Sequence, residues 1–238
     1  MKSISLYWGY LIGEEHLTNE QFASIDFGNP QLDTEFITFD PLASSFFQGK
    51  FYTMTERKFA FPHRTLPSMR GETMLVYDDT SIKLFDPPAD LEAPAGILLG
   101  IFTGKPNHIK KAMSYLGERI NLRFSPCNFD LEKLYRMLHK TRLKVYPKTL
   151  SICDLRIDDT LAGDLEVHIK DHEVFLENLQ TYKPKNNQIK LTIKEVSFQA
   201  DVTIQQSGVI VFDVDIINLN LLETIYDAAS RCVYTGNV

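Results

Sequence analysis

The sequence predicts an α+β fold made mostly of antiparallel sheet with helices packed against it. Short segments alternate apolar and polar residues with the period of two that marks a half-buried strand. Two adjoining segments in the middle carry apolar residues at helical spacing. Strands come in runs with short turn-rich links, instead of alternating one for one with helices. Hydrophobic residues make up 44% of the 238 and charged residues 24%, with 16 Phe and 10 Tyr to fill a core. A chain of this length buries about 70% of its unfolded surface and needs no staples of metal or disulfide.

The first strand is read at Ile4, Leu6, Trp8 and Tyr10, which alternate with smaller or more polar neighbours. Thr18–Gln21 has the form of a capping box. Further strands are expected at Phe36–Phe39 and Lys50–Phe61, and a hairpin at Met74–Tyr77 and Ile82–Phe85 turning on Asp78 to Ser81. A Pro-rich link from Asp86 to Gly96 leads into the apolar run Ile97–Phe102. Ile109, Ala112, Met113, Leu116 and Ile120 then define a helix with Pro106 in its first turn. Leu131, Leu134, Tyr135 and Leu138 define a second, with Asn128 as the expected N-cap. Strands at Thr149–Ile157 and Leu165–Ile169, a helix at Asp171–Tyr182 and a strand at Ile189–Phe198 follow. A hairpin joins Asp201–Gln205 to Val209–Asp213 across Gln206 to Gly208, and a last helix starts near Asn220.

Two packed units are expected, 1–145 and 146–238, with the boundary near Lys144–Lys148 where Pro147 interrupts. Each unit ends in a strand followed by an amphipathic helix, a hint of two similar halves. The order of strand, hairpin and helix over 189–233 is similar in topology to half of a TATA-binding-protein-like fold, about a fifth of the chain; topology carries no function across.

Charge is the most informative feature. From Lys105 to Lys148 there are eleven basic residues against three acids, a net +8. The rest of the chain has fourteen basic against twenty-eight acidic residues, and the whole sums to −6. Lys133, Arg136 and Lys140 share one face of the second helix, and Lys110 and Lys111 lie off the apolar stripe of the first. The two helices are expected to present one basic surface formed by Lys105, Lys110, Lys111, Lys133, Arg136, Lys140, Arg142 and Lys144. Such a surface attracts phosphates by releasing their counterions, or steers an acidic protein. Net acidity argues against indiscriminate coating of DNA.

Catalytic motifs fail one by one. Gly100 to Lys105 has three residues between its glycines where a phosphate-binding loop needs four, and Pro106 stands where a magnesium-binding hydroxyl belongs. His168 and His172 are four apart, but Ile169 replaces the glutamate of a zinc protease, and the pair straddles a strand end and a helix start. Asp154, Asp158, Asp159, Asp164 and Glu166, near Lys170, loosely suggest a metal-dependent nuclease. Asp213 and Asp215 close a strand, and His63 lies in a proline-bracketed loop with no visible partner. No cofactor is expected. Cys127, Cys153 and Cys232 are odd in number, far apart and without a CxxC, which points to a reducing, cytoplasmic setting. Three readings follow: a non-enzymatic binding or accessory subunit for nucleic acid or an acidic protein; a nuclease or phosphodiesterase using the acids of 154–170; or a purely structural subunit of an assembly.

Overall fold

The computed structural model describes residues 2–12, 22, 24–39, 47–60, 70–88, 97–156, 162–183, 186–195, 198–214 and 219–234. In chain order these form β1 (Lys2–Leu11), β2 (Glu35–Phe39), β3 (Phe47–Ala60), β4 (Arg70–Phe85), β5 (Ile97–Gly104), α1 (Pro106–Ile120), β6 (Leu122–Pro126) and β7 (Asn128–Phe129). Then come α2 (Leu131–Lys140), β8 (Lys144–Arg156), β9 (Ala162–His168), α3 (His172–Thr181), β10 (Asn186–Glu195), β11 (Phe198–Gln205), β12 (Val209–Phe212), α4 (Leu219–Ser230) and β13 (Val233–Tyr234). The architecture is mixed α+β dominated by one 11-stranded sheet in the order β2-β3-β4-β5-β1-β12-β11-β10-β8-β9, with β6 also on β1. Every strand pair in it is antiparallel. Among the described residues no helix is long and apolar enough to cross a membrane.

Strand alternation sorts the side chains into two cores. On the first face Ile4, Leu6 and Trp8 of β1 meet Ile97, Leu99 and Ile101 of β5, and the cluster runs on through Ile210, Val202, Ile204, Ile189, Leu191 and Leu150. Tyr135 and Leu138 of α2, Phe175 and Leu179 of α3, and Leu221 and Ile225 of α4 belong to it. On the second face Leu98 and Phe102 of β5 join Phe51, Ile82 and Leu84 with Ile109, Ala112, Leu116 and Ile120 of α1. Successive residues of a strand point to opposite faces, so α1 and α2 lie on opposite sides of the sheet. β5 is buried along its whole length, which is why it reads as a continuous apolar run. Gly100 leaves room there for Phe102 and Phe124, whose rings meet edge to face at 5.2 Å.

Several sequence expectations change. Asp78 to Ser81 is not a turn but the middle of the unbroken 16-residue β4. Its carboxylates are satisfied across the strand, Asp78 by Thr55 at 2.8 Å and Asp79 by Lys50 at 3.4 Å, so no turn is needed to solvate them. Asp130 and not Asn128 caps α2, accepting from the Lys133 N–H at 3.0 Å. Pro147 sits inside β8 at a bulge, where its missing N–H leaves the ladder intact on either side. The expected boundary at 145/146 falls within β8, and the first core draws residues from both sides of it. Thr18–Gln21, His63, Asp158, Asp159 and Asp215 lie outside the described residues.

Candidate polyanion-binding surface

The sequence-predicted basic residues do not form one surface. Lys105 is the N-cap of α1 and pairs with Asp78 of β4 at 3.4 Å; Lys111 pairs with Glu35 of β2 at 3.7 Å. β2 and β8 are eight strand steps apart in the sheet, roughly 38 Å at ~4.8 Å per step. Lys111 and Lys144 therefore cannot share a ligand of a few nucleotides. Lys110 lines a shallow groove with Met113, Glu118 and Arg123. On the other side of the sheet, Arg136 is held by Glu132 at 2.9 Å, and Lys133 and Lys140 are exposed on α2. The acids that neutralise α1 come from β2 and β4, distant in sequence, which helical spacing does not reveal.

Asp78 illustrates this neutralisation. Arg57 forms a close ion pair with it, and His108 Nε2 stands 3.9 Å away. Burial alone would raise the Asp78 carboxyl, but the Thr55 hydrogen bond and the charges of Lys105 and Arg57 hold it below the usual range. Burial pushes the His108 imidazole down, against the pull of Asp78. His108 is thus a neutral partner beside one carboxylate that two cations share.

A different surface does collect uncompensated charge. On the second face, α1 covers only the half of the sheet around β4, β5 and β6. Beyond β1 no described helix contributes a core residue to that face; β12 turns Val209 and Val211 to it, and β11, β10 and β8 turn mostly polar side chains. β8 sends Val145, Leu150 and Ile152 into the first core and Lys144, Tyr146 and Lys148 outward. β10 does the same with Ile189, Leu191 and Ile193 inward and Lys190 and Lys194 outward, with Thr192 buried between them on that face. Lys148 pairs closely with Asp201, and Lys190 with Glu166 at 3.0 Å. The Lys148 hydrogen bond, then that of Thr192, keeps the Asp201 carboxyl below its usual range, and Lys190 does the same for Glu166.

At the start of β8 the pattern breaks. Lys144 and Lys194 are directly opposed across the β8–β10 ladder. Both are exposed, and neither has an ion pair among the described residues. The Lys194 ammonium lies 5.4 Å over the ring of Tyr146, which is 48% exposed. Arg142, also exposed and without an ion pair among the described residues, lies in the connection that leads into β8, whereas Lys140 ends α2 on the other side of the sheet. Sequence reasoning found Arg142 and Lys144 but missed Lys194, Tyr146 and Lys190. The signal was present in the strict alternation from Ile189 to Lys194, which places its lysines on one face. The register that brings Lys194 opposite Lys144 was not.

The nuclease reading gains no geometry. Glu166 is engaged by Lys190, Asp164 accepts from the Asp154 N–H at 3.2 Å, and Asp154 has φ 49°. Among the described residues no three His, Cys, Asp or Glu side chains converge as metal ligands would. His168 ends β9 and His172 opens α3, where its ring stacks on His139 with centroids 3.9 Å apart. No family model and no curated protein matches the chain.

Proposed function

We propose that the chain is a non-enzymatic binding or accessory subunit that engages a polyanion, nucleic acid foremost, through the Lys144–Lys194 end of its open sheet face. One observation carries the reading: two ammonium groups directly opposed across an antiparallel ladder, neither with an ion pair among the described residues. Like charges in that relation repel and destabilise the sheet. The neighbouring lysines, Lys148 and Lys190, show the alternative, each with its own acid. A phosphate placed between Lys144 and Lys194 relieves the repulsion and releases counterions.

Tyr146 extends the reading toward unpaired bases. Its ring offers a flat face beside the lysine pair, and base stacking on an aromatic ring contributes about 1–3 kcal/mol. Lys144, Tyr146 and Lys148 follow one another along β8 on the same open face, at a step of about 6.7 Å per two residues. The sheet holds these groups in place, so little side-chain freedom beyond that of the lysine stems is lost on binding.

The test is fluorescence anisotropy with labelled single-stranded and duplex oligonucleotides at low salt. Lys144→Gln/Lys194→Gln is expected to weaken single-strand binding at least tenfold with a melting temperature equal to or above that of the wild type. Binding that survives the double substitution removes the proposal. If the chain ignores oligonucleotides but retains an acidic protein through the same lysines, the acidic-partner reading replaces it.

A further inference from the structure

A cavity of about 270 Å³ lies far from the lysine pair, at the N-terminus of α2. Its wall is made by Phe129, Asp130, Glu132, Lys183, Asn186 and Tyr234. That volume is at the small end of ligand sites, ~300 Å³, and suits a fragment or a single side chain.

Two carboxylates stand in this wall beside donors, among them Gln206 Nε2, which gives a hydrogen bond to the Tyr234 hydroxyl at 3.1 Å. Asp130 Oδ2 takes a hydrogen bond from Lys183 Nζ at 2.8 Å, and Glu132 Oε2 lies 3.8 Å from the same ammonium. Glu132 Oε1 accepts from Arg136 at 2.9 Å and Gln180 at 3.0 Å. Burial would raise both carboxyls. The Lys133 N–H and Lys183 outweigh it at Asp130, and Gln180 and Arg136 at Glu132, so both stay ionised. The Asp130 hydrogen bond in turn keeps the Lys183 ammonium charged.

The second observation is Asn186. It is 3% exposed, and its Nδ2 donates to the Leu179 carbonyl at 2.8 Å. Its Oδ1 is buried with no partner among the described residues. Reversing the amide would set oxygen against oxygen at Leu179, so the free acceptor is fixed on the other side of the group. A buried acceptor left unmet is costly, and such groups in folded proteins ask for a donor.

We propose that this cavity receives a guanidinium or alkylammonium group on a short apolar stem, which displaces Lys183 from the carboxylates and, once that side chain has left, brings an N–H to the sealed Oδ1 of Asn186. Lys183 acts as the resident competitor. Its side chain is 54% exposed, so it can swing into water without breaking the fold. The exchange replaces one cation with another, and the pairing of two acids with two cations, Arg136 being the second, is preserved. A guanidinium has the advantage of several N–H donors in a planar fork that matches a carboxylate. Phe129, which is buried, supplies the apolar wall for the stem. Because Lys183 is tethered beside the acids, its effective concentration is in the millimolar range, and the wild-type chain binds weakly.

The test is calorimetric titration of the full chain with agmatine and, separately, with a capped tripeptide bearing one arginine. Lys183→Met is expected to tighten binding about tenfold by removing the competitor. Lys183→Met/Glu132→Gln is expected to lose that gain, with melting temperature reporting that both variants fold. Tighter binding of agmatine identifies a free amine as the source, and tighter binding of the peptide identifies a partner's side chain. No binding to Lys183→Met, binding no tighter than wild type, or binding indifferent to Glu132→Gln overturns the proposal. None of these outcomes depends on the lysine pair of β8.

Discussion

Salt dependence turns the proposed polyanion surface into numbers. Arg142, Lys144 and Lys194 are exposed cations of this region that have no ion pair among the described residues. If each meets one phosphate of a single strand, log K falls with log salt at a slope of about −2.1, from about 0.7 counterions per contact. Between ~50 and ~200 mM salt the affinity then drops about 18-fold. Lys144→Gln/Lys194→Gln removes two contacts, so the slope falls to about −0.7 and the drop shrinks to about threefold. Lys111→Gln is the control, because its charge is matched by Glu35 at the far end of the sheet. Anisotropy titrations at four or more salt concentrations measure both slopes. A slope untouched by the lysine pair but lowered by Lys111→Gln would place the anion on α1 and refute the reasoning.

Three further outcomes follow from the fold. Asp78→Asn leaves Arg57 and Lys105 around a neutral group, and chemical denaturation should show a loss of about 1.5–3 kcal/mol, the range for hydrogen bonds to charged groups. Gly208 has φ 77°, and an added Cβ would stand 2.6 Å from the Cys127 carbonyl oxygen, so Gly208→Ala should cost about 1–3 kcal/mol in the same assay. Burial first, then the neighbouring His139, keeps the His172 imidazole below its ordinary pKa, while Asp171 and Glu173 pull the other way and Arg136 adds to the depression. His172 is therefore neutral in the fold and takes up a proton more readily when unfolded, so stability is full above about pH 6.5 and falls as acid protonates the unfolded chain. A melting temperature that rises on acidification from pH 7 to 5.5 would contradict that sign.

Most strands were legible because a half-buried sheet writes its period into the sequence. Val209 to Phe212 and the β11–β12 turn at Gly208 are read directly, since only a turn with a positive φ there accommodates Gln206 to Gly208. Helix α1 was equally plain from its apolar stripe and Pro106. Asp78 to Ser81 misled because two adjacent acids followed by Thr and Ser have the composition of a turn. What kept them in a strand is long-range: Thr55 and Arg57 on β3, and Lys105 at the start of α1. The order of strands in the sheet was out of reach for the same reason, because β1 finds its neighbours β5 and β12 about a hundred and two hundred residues away.

The site shows why a count of charges along a chain is a poor guide to a surface. Eleven basic residues fall within one segment, yet that segment crosses the sheet, leaving α1 on one face and α2 on the other. Helical periodicity fixes which side of its own helix a lysine occupies and nothing about which side of the sheet the helix occupies. Acids far away in sequence then pair with Lys105, which shares Asp78 with Arg57, and with Lys111, and a nearby one pairs with Arg136. The charge that survives is set by register, since a shift of one residue in the β8–β10 pairing would turn Lys194 toward the core and remove it from Lys144. That register is pinned by Ile189, Leu191 and Ile193, all fully buried, so the apolar side of β10 decides where its ammonium groups stand. Burying a lysine in place of Ile193 is far costlier than the repulsion of an exposed pair, and the core therefore holds two like charges together on the wet face.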